Sequence, residues 1–355
     1  MHSELPKQSF ISANTEHGFF SLYENVFQNQ DFNKIFVILG GPGTGKSTLM
    51  RKLAEKAKEK EIDVKELLCS SDADSLDGVI LSKNGKRVGV LDGTPPHARI
   101  VTAPGTTEEI WHLGAFWDTK ILQSALGEIK AAEEKKKCAY KEAYAFLSAA
   151  GICHEIGKRH LLTRLDTEKM RAQIMHKIKK AKGNGESTKC LFRAFSMKGE
   201  VLLRETQTDY ENVVLLSGKK QSAEIYLSIM KEVLEQNKVA STIFLSPLSE
   251  ESIDAIYLDE AKTLYSWEGF FGGEKAKKKL HLSRFLIPEK TVDHALLHAS
   301  DKQEKMLKRL ALSSLLHAAE AHFSLEDIYR SAVDFDALDR KGEEWVRDAL
   351  SALTD

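Results

Sequence analysis

Long apolar runs are missing from this 355-residue chain: stretches such as 35–39 and 213–216 fall far short of the roughly 20 residues a helix needs to cross a bilayer. No membrane span is expected. The sequence does not open with a basic segment, an apolar segment and a small-residue cleavage site, so no secretory signal is read and the expected location is cytoplasmic. Cysteine is scarce and scattered. Cys69, Cys138, Cys153 and Cys190 include no C-x-x-C pair, which fits reduced thiols better than a disulfide framework or a structural zinc site. His154, His160, His317 and His322 form no H-E-x-x-H pattern, so a transition metal is not expected, and Cys153-His154 reads as packing. Charge of one sign is lacking too. With 51 Lys+Arg against 52 Asp+Glu the formal net charge is −1, so no global field draws the chain to nucleic acid or anionic lipid. The basic runs Lys135-Lys136-Lys137 and Lys275-x-Lys277-Lys278-Lys279 lack interleaved aromatics and read as solvated faces, so neither nucleic acid nor membrane is an expected partner.

What is present is enough for about two ordinary domains: 42% of residues are hydrophobic and 29% charged. From Ile35 the sequence reads IFVILGGPGTGKSTLM, an apolar run, then Gly40-x-x-x-x-Gly45-Lys46-Ser47, then a segment of helical periodicity. This is the Walker A pattern in its strand–loop–helix setting. Glycines let the backbone curl with its N–H groups inward, and the first turn of the following helix offers unpaired N–H groups and a positive dipole end to an anion. The expected nucleotide cradle is Gly40, Gly41, Pro42, Gly43, Thr44, Gly45, Lys46, Ser47 and Thr48, holding ATP with Mg²⁺. Lys46 is placed on the phosphates and the Ser47 hydroxyl on Mg²⁺.

A second metal ligand is expected at the end of another apolar strand, and Asp92 of RVGVLDGTPPH fits, because glycine and prolines stop the strand just after it. The alternative is a turn-forming Asp-Gly. Asn84-Gly85, between two apolar runs, predicts a hairpin and so a β insertion. Asp72 and His97 are the candidates for orienting water. No Asn-Lys-x-Asp segment occurs, which favours ATP over GTP.

Sliding the chain on itself by 177 positions aligns 36–81 with 213–258 without a gap, VILGGPGTGKSTLM falling on VLLSGKKQSAEIYL. With one residue removed from the hairpin turn, Asp92-Gly93 lands on Glu268-Gly269. Gly40, Gly43, Gly45, Lys46 and Ser47 become Ser217, Lys220, Ser222, Ala223 and Glu224. A carboxylate about 4 Å from a phosphate oxygen costs on the order of 4 kcal/mol at an effective dielectric of about 20, so the second copy is not expected to hold ATP. Lys219 and Lys220 offer it only a partial anion site.

The motifs Asn14-Thr15-x-x-Gly18-Phe19, Gly40 to Ser47, Ser71-Asp72-x-Asp74-Ser75-Leu76-Asp77-Gly78, Asp92-Gly93-Thr94-Pro95-Pro96-His97, Pro104-Gly105 and Leu113-Gly114-x-Phe116-Trp117-Asp118 resemble a family of tandem P-loop ATP-binding proteins of spore-forming and related Gram-positive bacteria. The resemblance covers nearly the whole chain, and its specific motifs lie in the N-terminal half. Members of that family commonly keep a P-loop in both halves. This chain departs from that pattern in the second, which weighs against a mechanism needing two active sites.

The expected fold is α/β, two tandem P-loop NTPase-like domains with mostly parallel sheets and flanking helices, each ending in a helical appendage. The halves are 1–182 and 190–355, joined by a polar, glycine-containing linker at 183–189. Residues 109–155 read as one or two long helices, with helical character continuing over 161–181, and 301–350 as a matching block. Three functions fit: a Mg²⁺-dependent ATP hydrolase with the C-terminal copy as regulatory or scaffold half, a small-molecule or nucleotide kinase, and an ATP-gated scaffold with little turnover. Each implies a protein or small-molecule partner that the sequence does not identify.

Overall fold

The structure, a computed structural model, describes residues 4–96, 99–178, 185–203, 210–270 and 278–354. Part of the expected linker lies outside them. The first half runs β1 (Gln8–Phe10), β2 (Ser12–Thr15), β3 (Gly18–Ser21), α1 (Tyr23–Val26), β4 (Lys34–Leu39), α2 (Lys46–Glu59), β5 (Asp63–Leu68), β6 (Leu76–Lys83), β7 (Lys86–Asp92), β8 (Glu108–His112), α3 (Thr119–Ser124), α4 (Leu126–Leu162) and α5 (Thr167–Ile178). The second runs β9 (Thr188–Cys190), β10 (Arg193–Ser196), β11 (Gly199–Leu202), β12 (Asn212–Ser217), α6 (Lys220–Gln236), β13 (Ser241–Leu245), β14 (Ile253–Leu258), β15 (Thr263–Trp267), β16 (Lys278–His281), α7 (His294–Arg330) and α8 (Phe335–Ser351).

Each half forms a six-stranded sheet of the same order, β1-β5-β6-β7-β4-β8 and β9-β13-β14-β15-β12-β16. Only β6 and β14 run antiparallel to their neighbours, so both sheets are mostly parallel. The strand β4, buried along Ile35, Phe36, Val37 and Ile38, lies between β7 and β8, as its unbroken apolar run requires. Asn84 and Gly85 take φ of 50° and 80° in the tight turn from β6 to β7. That hairpin is no insertion: it supplies two strands of the main sheet. The helical reading of 109–155 also needs correction, because 108–112 is the edge strand β8, and Trp111 is fully buried beside Phe36 and Trp345.

The helices trade places between the halves. From the first half, α5 packs on α6, with Gln173 accepting from the Tyr226 hydroxyl at 3.1 Å and Arg171 paired with Glu232 at 2.6 Å. From the second half, α8 packs on α2, with Lys52 2.7 Å from Glu343 and Trp345 stacked 5.2 Å from Trp111. The long helices α4 and α7, 37 residues each, lie along one another over Ala143, Leu147, Ala150, Ala311 and Leu315. Backbone contacts repeat about a pseudo-two-fold. Phe10 and Leu191 exchange hydrogen bonds at 2.9 and 2.8 Å. Glu16 N donates to Leu248 O as Met197 N does to Ser71 O, both at 2.9 Å. Asp118 N to Ala332 O at 2.7 Å has its counterpart in Ile287 N to Arg164 O at 2.9 Å. Among the described residues no helix is long and apolar enough to cross a membrane.

Candidate functional site

The glycine loop between β4 and α2 stands at the C-terminal edge of the parallel strands, where open α/β sheets bind ligands. Gly43 and Gly45 adopt φ of 66° and 96°, a region closed to most side chains. Thr44 Oγ1 donates to Gly41 O at 2.8 Å and tightens the curl. Lys46, first residue of α2, folds back so that its ammonium donates to Gly40 O at 2.8 Å and Gly41 O at 2.7 Å, with Asp92 Oδ2 3.6 Å away. Asp92 is the last residue of β7, and its Oδ1 accepts from Thr94 N at 2.8 Å. Thr94 in turn donates through its hydroxyl to Gly40 O at 2.8 Å, tying the aspartate turn to the loop. Ser47 Oγ accepts from Leu76 N at 2.9 Å, which leaves its hydroxyl proton free to turn elsewhere.

The other half walls this loop. A Cβ at Gly41 would stand 2.8 Å from the Tyr329 ring, and one at Gly43 2.8 Å from the Glu326 carbonyl, both residues belonging to α7. Leu338 of α8 lies against Gly45. Asp72 also meets the second half: Lys198, in the β10–β11 turn, pairs with it at 2.8 Å and with Asp74. Burial pushes the Asp72 carboxyl up, but hydrogen bonds from Lys198 and from Ser75 Oγ, the latter at 2.9 Å, hold it below the usual range.

The matching loop in the second half is not a cradle. The helices α2 and α6 end in register under the 177-residue offset, at Glu59 and Gln236, yet α6 begins at Lys220 where the offset would start it at Ala223. The residues that form the glycine curl in the first half become an extra helical turn in the second. Antiparallel pairing of Gly78 with Leu91 and of Ala255 with Ser266 makes the second hairpin turn two residues shorter. The counterpart of Asp92 is therefore Trp267 and not the aligned Glu268. Glu268 still reaches the loop, accepting from Ser217 Oγ at 2.9 Å and from Gly218 N at 3.2 Å.

Where the first half has Ser47, the second has the buried Glu224, and its charge is met by the protein itself. His154 of α4 places Nε2 2.6 Å from Glu224 and Nδ1 3.0 Å from Glu304 of α7, and Lys308 reaches Glu304 at 2.9 Å. Lys220 stands 3.4 Å from Glu224. Burial alone would lower the His154 pKa, but the charge of Glu224 and the hydrogen bonds to both carboxylates lift it to about 9. For Glu224 burial acts upward, and Lys220 and His154 overcome it to bring the carboxyl down to about 2. Beside them Arg193 grips the buried Asp254 at 2.7 Å. Reading Cys153-His154 as packing missed this cluster, since its members come from three helices and nothing in sequence spacing joins His154 to the other two.

The fold thus brings together Gly40, Gly41, Pro42, Gly43, Thr44, Gly45, Lys46, Ser47, Thr48 and Asp92, with Asp72 on the rim held by Lys198. His97 lies outside the described residues. Arg99 pairs with Glu108 at 2.8 Å, Arg159 pairs with Glu155 at 2.9 Å, Arg164 donates to Thr291 O at 2.8 Å, and Arg87 lies over the Phe32 ring. Among the described residues no group of three or more His, Cys, Asp or Glu is arranged to hold a metal. The chain matches no protein-family model, and no curated protein or solved structure matches it.

Proposed function

We propose that the chain binds ATP with Mg²⁺ at the loop 40–47 and hydrolyses it, the C-terminal half serving as the regulatory or scaffold half. The observation that carries this reading is the convergence of Lys46 and Asp92, 3.6 Å apart, on a loop in which Gly43 and Gly45 hold positive φ that side chains rarely adopt. An inward-curling backbone and a helix N-terminus suit phosphate, and the lysine ammonium suits the charge on the transferring phosphoryl group. Ser47 and Asp92 present a hydroxyl and a carboxylate from adjoining elements, a donor set that fits a hard divalent cation. Mg²⁺ bound there would neutralise phosphate charge. Asp72, its carboxyl held below the usual range by hydrogen bonds from Lys198 and Ser75, would orient the attacking water from the rim. The absence of a guanine-reading segment favours ATP over GTP.

A second reading, an ATP-gated scaffold with little turnover, draws support from the seating of Gly41 and Gly43 against α7. Filling the loop then alters the contact between the halves whether or not the phosphate is cleaved. Calorimetry of the full chain with Mg·ATP, paired with ADP release, separates the two: one bound nucleotide with turnover supports the hydrolase, and tight binding at background turnover the scaffold. Two bound nucleotides, or better competition by GTP than by ATP, would count against both as framed.

A further inference from the structure

On α4, three residues four apart define one face. Ala132 packs with Leu325 and Tyr329, the tyrosine whose ring abuts Gly41. Tyr140 donates its hydroxyl to Ser71 Oγ at 3.1 Å, beside Asp72. Lys136 stands midway between them, on the stripe that runs past the glycine loop from Gly41 to Asp72. It is half-buried, where its run neighbours Lys135 and Lys137 are exposed, so the solvated-face reading fails for this member. Among the described residues it forms no ion pair. Burial holds its ammonium below the usual lysine range, with repulsion from Lys46 adding to that and Glu133 opposing it.

The second half shows what balances such a position. The helices α4 and α7 superpose in sequence with an offset of 168, which carries Lys136 onto Glu304, and the 177-residue offset carries Ser47 onto Glu224. In the second half those two carboxylates are neutralised internally by His154, Lys220 and Lys308. In the first half both are gone: a hydroxyl and a second cation take their places beside Lys46. The same architecture pairs both substituted groups with opposite charges at one loop, whereas at the other Lys46 has Asp92 3.6 Å away and Lys136 has no ion pair among the described residues.

We propose that Lys136 is a second phosphate-contacting cation, reaching from α4 to the polyphosphate of a nucleotide whose binding Lys46 begins. The proposal rests on the reading of the loop 40–47 as a nucleotide site. It adds a group that no loop motif contains, supplied by the long helix that packs along α7 of the other half.

The test is calorimetric titration of the full chain with Mg·ATP, inorganic tripolyphosphate and AMP, for the wild type, Lys136→Ala, Lys136→Arg and Lys46→Ala. A charge-assisted contact predicts that Lys136→Ala weakens ATP and tripolyphosphate by about tenfold to a hundredfold and AMP by about twofold or less. Lys136→Arg should keep most of the affinity, and the apo melting temperature of Lys136→Ala should not fall, since an unpaired half-buried charge is removed. If Lys136→Ala binds ATP and tripolyphosphate like the wild type while Lys46→Ala does not, Lys136 is excluded and the nucleotide site stands. A uniform loss across ATP and AMP with a lowered melting temperature would assign Lys136 a structural role and overturn the proposal. Wild-type protein that binds neither ATP nor tripolyphosphate would remove both the site and the proposal.

Discussion

At the scale of the residue, the two halves use the same backbone positions for opposite electrostatics. Lys46 rests its ammonium on the Gly40 and Gly41 carbonyls, and on the proposed reading it turns to phosphate, so Lys46→Ala should weaken ATP binding by about tenfold to a hundredfold and leave apo stability nearly unchanged. Calorimetry and a thermal melt check this directly, and unchanged affinity would show that the loop is not the nucleotide site. His154 is the inverse case, a cation held between two buried carboxylates. Its removal in His154→Gln takes one cation from Glu224 and Glu304, which keep Lys220 and Lys308, and should cost about 1–3 kcal/mol near neutral pH. Because its folded pKa is raised from 6.5 to about 9, its contribution is complete below about pH 6.5 and is lost as pH climbs through 9. Denaturant midpoints of the two proteins should therefore converge as pH rises from 6.5 through about 9, and a gap that widens there would contradict the pairing.

Among the elements, the informative difference is the start of α2 against that of α6. One glycine curl and one extra helical turn occupy equivalent places, and the choice follows composition. Gly-Gly-Pro-Gly-Thr-Gly leaves the backbone unable to hold a helix, whereas Lys220-Gln221-Ser222-Ala223-Glu224 has helix-forming side chains and no glycine. Gly43→Ala meets both a positive φ of 66° and the Glu326 carbonyl 2.8 Å away. Strained backbone of this kind costs about 1–3 kcal/mol, and the added methyl must also push α7 aside. A clearly lowered melting temperature with weakened ATP binding is expected; a neutral substitution would mean that the loop and α7 do not bear on each other.

For the whole molecule, the exchange of helices makes each half the lid of the other. The α4 face formed by Ala143, Leu147 and Ala150 finds its partners on α7, and the apolar side of α5 finds its partner on α6. Fragment 1–182 expressed alone should accordingly fail to give a folded monomer, while co-expression with 190–355 should restore the complex, as size-exclusion chromatography and circular dichroism would report. The intact chain should unfold in a single calorimetric transition. Two resolved transitions, or a stable monomeric 1–182, would refute the mutual dependence.

By itself the sequence determined what is local. Glycine spacing specified a curled loop, the unbroken apolar run of 35–39 a central strand, Asn84-Gly85 a tight turn, and the glycine and prolines after Asp92 a strand end. The gapless 177-residue repeat likewise anticipated two halves with the same run of strands and helices, because matching apolar patterns make matching elements, while the strand order came from the fold. Only the tertiary structure decided which helix covers which half, since amphipathic faces as similar as those of α4 and α7 carry no address for their partner. It alone joined His154 to Glu224 and Glu304, 70 and 150 positions away, and half-buried Lys136 out of a run of three lysines. Such pairings are set by packing across the pseudo-two-fold, and a linear pattern has no term for contacts that the fold creates.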